Sequence, residues 1–216
     1  MAITISTGTG IDIAKTYGSA ISMTALTNAS EAVATLAAGH ALVVGDIIEV
    51  TSGWGRLNKR IVRIKTVAVN DVTMEGINTT STTLYPAGSG TGTVRKITAW
   101  DEVTQIKEVS VSGGDQQYVD ITTIADVTAK QAPTIRNAVA LTLTVMDDPA
   151  LAWYATVNTA ADTDAVAAVR MRFPNGSKLL GNGYWSLQKT PNIAKNDAIT
   201  ARVDVSYIAE ATRYST

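Results

Sequence analysis

The sequence predicts a mainly β protein: a β-sandwich or barrel with one flanking α-helix, joined to a small inserted or appended β-barrel-like module. Three observations carry the prediction. Residues 199–207 alternate Ile199, Ala201, Val203, Val205 and Tyr207 against Thr200, Arg202, Asp204 and Ser206, the period of a half-buried strand. Residues 135–146 repeat the pattern with Val139, Leu141, Leu143 and Val145. Between 26 and 97, short β-branched runs are punctuated by Gly, Asn and Asp, the mark of a compact all-β unit.

In chain order, residues 1–25 are small and polar with scattered apolar side chains, among them Ile3, Ile5, Ile11, Ile13 and Tyr17. They read as an N-terminal arm and first edge strand, ordered at a sheet edge or only against a neighbour. Residues 26–97 form the small β-module, SH3-like or similar. Within it, 29–36 fits a helix or a strand, 60–69 is a strand, and 78–92, with Pro86, Gly88, Gly90 and Gly92, is either a mobile tip or part of a long hairpin.

Residues 98–216 make the larger unit. Its first strand, 100–112, changes apolar face midway, which a β-bulge near Thr104 and Gln105 explains. A turn at Gly113-Gly114-Asp115 leads to a strand over 118–124, and 125–134 reads as a polar loop. Asp147-Asp148-Pro149 predicts a helix over about 148–158, with an acidic N-cap, Pro at the first helical position and a stripe of Leu151, Tyr154 and Val157. Three antiparallel strands follow, over 166–173, 179–188 and 199–207. The first two are joined by a turn at Phe173-Pro174-Asn175-Gly176, and Gly181 and Gly183 mark a bulge or bend in the second. A C-terminal arm ends the chain.

Charged residues are 17% of the 216, below the roughly 25% of ordinary globular chains. That fits either a surface largely covered by other subunits or simply a neutral, Thr-rich β protein. The net charge of −1 lacks the basic excess of a general nucleic-acid binder, and it sets no repulsion against self-assembly. Absence of cysteine excludes disulfides and thiolate metal sites. The first residues show no secretory signal, and no apolar run approaches the roughly 20 residues of a spanning helix, so synthesis in the cytoplasm without membrane insertion is expected.

Catalytic chemistry has few candidates. His40 is the single histidine and has no partner at ligand spacing, so metal and Ser-His or Cys-His sites are not expected. Asp101 and Glu102 would point to opposite faces of a strand, and Asp147 and Asp148 are explained by capping. The glycines of 6–10, 88–92 and 181–183 match neither a P-loop nor a dinucleotide fingerprint. Arg56, Lys59, Arg60, Arg63 and Lys65 form the basic cluster, without interleaved stacking aromatics. No enzyme, cofactor or metal is expected.

One stretch carries a resemblance. Arg170-x-Arg172-Phe173-Pro174-Asn175-Gly176 follows a helix and an apolar strand, a Gly-aromatic strand comes next (Gly181, Gly183, Tyr184, Trp185), and 196–206 (NDAITARVDVS) closes the series. The whole resembles the C-terminal half of the tail tube proteins, or major tail proteins, of long non-contractile-tailed phages of the lambda type. The resemblance implies a structural virion protein. Six copies would form a ring, and rings would stack into a hollow conduit, built around a tape-measure protein, bounded by tail terminator and tail tip proteins, and later passed by double-stranded DNA. Subunit contacts would then fall to Ile3, Ile5, Tyr118, Lys130, Gln131, Arg172, Arg202, Arg213 and Tyr214, stacking would use the arms and the loop 126–134, and the 26–97 module would decorate the outside. The alternative is a phage surface module that binds a carbohydrate or receptor, presenting Trp54 and Tyr85 on loops.

Overall fold

The computed structural model describes residues 7–215. Among them, strands β1 (Gly10–Tyr17), β2 (Ile21–Leu26), β3 (Val33–Leu36), β4 (Ile47–Ser52), β5 (Ile61–Ala68), β6 (Asp71–Met74) and β7 (Gly92–Val103) precede the helix in the first half of the chain. Then come β8 (Ile106–Ser112), β9 (Gln116–Asp120), β10 (Gln131–Arg136), β11 (Ala140–Met146), helix α1 (Ala152–Asp162), β12 (Val166–Arg172), β13 (Lys178–Leu187), β14 (Thr200–Tyr207) and β15 (Thr212–Tyr214). The chain is mainly β with one helix, as its alternation predicts. Of residues 29–36, the last four form strand β3 (Val33–Leu36) and none is helical.

Strands β2, β3, β6, β5, β4 and β7 pair in that order, and β7 pairs back onto β2, so they close into a small barrel. Its interior is filled by Met23, Leu36, Ile48, Val50, Leu57, Val62, Ile64, Val72, Met74 and Val94. The segment after β6 caps one end. Thr79 is fully buried, Asn28 Nδ2 donates to the carbonyls of Thr79 and Tyr85, and the Trp54 indole donates to Pro86 O at 2.7 Å. Gly90 lies flat on that indole, where a Cβ would sit 2.8 Å from the ring. The stretch 78–92 is therefore a packed lid, not a free tip.

The rest of the sheet runs β7-β1-β12-β13-β14-β11-β8. It folds over along β13, whose residues 178–184 pair with β12 and whose residues 183–187 pair with β14. The two halves face each other across one core: Ile11, Ile13, Val103, Val169 and Met171 from one side, Leu141, Leu143, Val145, Val203 and Val205 from the other. Covering that apolar surface is the main stabilisation of the sandwich.

Several boundaries differ from the sequence reading. β1 is an interior strand between β7 and β12, with Ile11 and Ile13 buried, rather than an edge. Its apolar face completes the sandwich core, which outweighs the polarity of its flanks. There is no single strand with a bulge over 100–112: the chain leaves β1 at Val103, turns at Gln105 (φ 59°) and joins β11 as β8. The residues 135–146 divide between β10 and β11, because Asn137 leaves the ladder to bond across the hairpin to Asp115 and Gly114. Residues 131–134, read as loop, lie in β10.

Gly181 and Gly183 mark no bulge either, since β13 keeps unbroken register with β12. They permit close approach: a Cβ at Gly183 would lie 2.4 Å from Ser206 O, and one at Gly181 would meet the Tyr207 ring at 2.9 Å. Helix α1 begins later than 148. Leu151 is the N-cap without a side-chain bond, while Asp148 Oδ1 accepts from Ala150 N at 3.2 Å in a preceding turn. The buried stripe is Trp153, Val157 and Ala160, because the core takes the indole.

The barrel sits on the outer side of the β7-β1-β12-β13 half. Ala14, Ala168 and Leu180 of the sandwich meet Ile61 of the barrel and Tyr214 of the C-terminus in a separate apolar cluster, with Tyr17 and Trp100 at its margin. The opposite half, β13-β14-β11-β8, has its outer face uncovered.

Candidate assembly surfaces

β8 and β9 on one side, β10 and β11 on the other, are two segments of one long hairpin with a joint at Gly113-Gly114 and Asn137. Inside the joint, β8 pairs with β11 in the sandwich; beyond it, β9 and β10 pair only with each other. The joint needs Gly113, whose φ is 78° and where a Cβ would fall 2.0 Å from Ala138 O. Five residues of β9 carry the ribbon about 17 Å outward, before its tip.

Among the described residues nothing forms a layer over either face of the ribbon, yet many of its side chains are apolar. Tyr118, Val119, Ile121, Ile124, Val127 and Ile135 are all exposed, Ile124 and Val127 completely. A two-stranded hairpin is marginal alone, and contiguous exposed apolar groups mark an interaction surface. Polar contacts hold its shape. Gln117 Nε2 donates to Asn137 Oδ1 across the joint, and at the tip Asp126 accepts from Thr123 N, the Thr123 hydroxyl and Lys130 Nζ. The Lys130 ammonium, then the Thr123 bonds, hold the Asp126 carboxyl below the usual range; bonds from Thr122 do the same for Asp120.

The second surface is the edge of β8, whose far side has no strand partner among the described residues. Val109 and Val111 stand opposite the buried Leu143 and Leu141, so they share the core-facing side of the sheet. They nevertheless remain 44% and 65% exposed. The core stops short of this edge, leaving both an unpaired backbone and an uncovered apolar strip. At the other side of the same half, β12 ends its pairing at Tyr184, so residues 185–187 of β13 have a strand partner in β14 alone.

The third surface is the uncovered face of β8, β11, β14 and β13. It carries Glu108 and Ser110, Thr142 and Thr144, Arg202, Asp204 and Ser206, and Tyr184 and Ser186 in register. Two of its charges pair within the plane: Asp204 Oδ1 accepts from Arg202 Nε at 2.9 Å and from the Thr142 hydroxyl.

The residues singled out from the sequence are scattered over these surfaces and the interior. Tyr118, Lys130 and Gln131 lie on the β9–β10 ribbon, and Arg202 on the uncovered face. Ile3 and Ile5 lie outside the described residues. Arg172 is engaged within the chain, donating to the buried Asp12 at 2.9 and 3.0 Å and to Glu102 at 2.8 Å. Arg170 binds the same Asp12 at 2.7 Å and stacks on Trp100. Arg213 lies over the Phe173 ring, beside the turn at Pro174, Asn175 and Gly176 that Ser177 closes through Asn175 Oδ1. Tyr214 is buried against the barrel. Sequence reasoning missed Val109 and Val111; their alternation was visible, but nothing local tells that no layer covers them.

The other chemical candidates dissolve. Trp54 and Tyr85 pack edge to face inside the barrel, buried, so neither offers the exposed platform that a carbohydrate-binding module would need. The basic cluster is largely neutralised: Lys59 by Glu49, Arg60 by Glu210, Arg63 by Glu75, Lys65 by Glu31. Among the described residues no group of three or more His, Asp and Glu gathers as a metal site, and no helix is long and apolar enough to cross a membrane.

A search of curated proteins finds no match. A family model for the phage tail tube protein matches residues 52–216, starting at the last residue of β4, so β5 and β6 of the barrel and every strand of the sandwich except β1 fall within it. With three-quarters of its length under that match, the chain belongs to the phage tail tube protein family.

Proposed function

We propose that this structural virion protein closes as six copies into a ring, and that rings stack into the hollow conduit through which double-stranded DNA reaches the host. The observation that carries the reading is the half-sheet β13-β14-β11-β8. It offers an edge at β8 with no strand partner among the described residues, residues 185–187 of β13 that pair with β14 alone and lie beside α1, and an apolar strip that a neighbouring copy would cover. Joined edge to edge, these half-sheets make a continuous wall whose uncovered face, rich in hydroxyls and internally paired charges, lines the lumen. A surface without a basic excess suits a conduit that must release the polyanion.

The β9–β10 ribbon, with Tyr118, Lys130 and Gln131, would reach along the axis to the next ring, and Ile3 and Ile5 would add arm contacts. The barrel, on the opposite side of the sandwich, would lie outside. Assembly would proceed around a tape-measure protein and end at tail terminator and tail tip proteins, after synthesis in the host cytoplasm. Negative-stain electron microscopy of the purified protein over a concentration series tests the reading. Long hollow tubes with regular striations are expected; uniform small particles at every concentration would overturn it.

A further inference from the structure

The last strand of the chain does something that the tube reading does not require. β15 pairs with residues 178–180 of β13 in the sandwich and, from the same three residues, grips the barrel. The Tyr214 hydroxyl accepts from Arg63 N at 2.8 Å and donates to Glu75 O at 3.3 Å. Its ring lies 4.6 Å beneath the Arg63 guanidinium and packs with Ile61 and Leu180. The Thr212 hydroxyl accepts from Arg60 Nη2 at 3.0 Å, and Glu210 pairs with the same guanidinium at 3.5 Å.

The covalent links lie elsewhere. The chain enters the barrel after Tyr17 and leaves it along β7, and these two passages are neighbours: Tyr17 pairs with Ile97, and Gly18 N donates to Lys96 O at 2.8 Å. One two-stranded ribbon therefore joins the units. A ribbon of that kind resists stretching but bends across its face. What fixes the angle is the contact away from it: β15, with Tyr214 completing the apolar cluster in which Ile61 of the barrel meets Ala14, Ala168 and Leu180, and Asn182 Nδ2 donating to Lys59 O at 2.9 Å.

We infer that the C-terminal strand is a clasp that sets the angle of the barrel on the sandwich, and that its opening lets the barrel pivot about the β1–β7 ribbon. A three-residue strand paired with one neighbour alone is among the first elements to open locally, whereas both cores keep their own packing. The clasp thus gives the outer unit two conditions, locked and swinging, without unfolding either.

The natural absence of cysteine allows a direct test. Spin labels are placed at Val69→Cys on the barrel and Ala155→Cys on the helix, both exposed positions, and the inter-label distance is read by pulsed electron resonance on dilute, unassembled subunits. The full chain should give one narrow distribution. Tyr214→Ala, and separately removal of residues 212–216, should leave far-ultraviolet dichroism unchanged and broaden that distribution roughly twofold or more. A narrow distribution retained in both variants would overturn the clasp. Should the truncated chain fail to fold, Tyr214→Ala decides alone.

Discussion

The uncovered valines on β8 give the sharpest handle on assembly. Replacing Val109 and Val111 together by Thr keeps shape and strand propensity and exchanges one methyl for one hydroxyl at each position. In the free subunit the two side chains are 44% and 65% exposed, so each hydroxyl reaches water and subunit stability should move by no more than about 0.5 kcal/mol per site. In the proposed ring a neighbouring copy would bury the same hydroxyls without a partner, at a cost of about 1–3 kcal/mol each. The lower bound for the pair, about 2 kcal/mol, raises the concentration needed for polymerisation roughly thirtyfold. Sedimentation of polymer over a dilution series gives that concentration, and thermal unfolding of the dilute subunit gives the control. An unchanged polymerisation threshold with an unchanged melting temperature would refute the placement of this strip at the subunit boundary.

Three further outcomes follow from the geometry. Val69, a β-branched residue at φ 54° on an exposed turn, is strained, so Val69→Gly should stabilise the subunit by about 0.5–1 kcal/mol in denaturant titration after allowing for glycine's freedom in the unfolded chain. Asp12 is buried between Arg170 and Arg172, so Asp12→Ala, which leaves both guanidiniums without their shared anion, should cost about 3–5 kcal/mol by the same measurement. Burial pushes the hydroxyls of Tyr17, Tyr207 and Tyr214 up to about 12. Because folding raises them above the ordinary value near 10, the stability they contribute is complete below pH about 10 and is lost as pH rises toward about 12. The tyrosinate absorbance of these three should therefore appear together with loss of near-ultraviolet dichroism in that window, and their early titration in a fully folded chain would contradict it.

How much of this was legible beforehand depends on how local the deciding contact is. The alternation of Val139 to Val145 and of Ala201 to Tyr207 announces strands, because period two is written in consecutive residues, and the two strands do pair in register. The turn at Pro174, Asn175 and Gly176 is equally local. The interior position of β1 is not, since it depends on partners in β7 and β12, far along the chain. Trp54 sits in a glycine-rich loop where the sequence leaves surface contact open; its burial depends on Pro86 and Gly90 folding back over it. Asp148 and Pro149 do make a turn with a side-chain bond, but the helix waits for Trp153 to enter the core. The apolar strip on β8 was the least legible, because exposure is a property of what fails to cover it.

The sharing of β7 has a consequence for anyone wishing to remodel this chain. Its residues 92–96 are a stave of the barrel and its residues 97–103 a stave of the sandwich, with no spacer between. Excising the barrel as a cassette would therefore sever a continuous ladder and strip the side of the sandwich that carries Ala14, Ala168 and Leu180. Cargo is better grafted at a loop that the two units do not share, and exposed Val69, in the turn from β5 to β6, is such a place, provided that Asn70 keeps its carbonyl bond from Leu36 N.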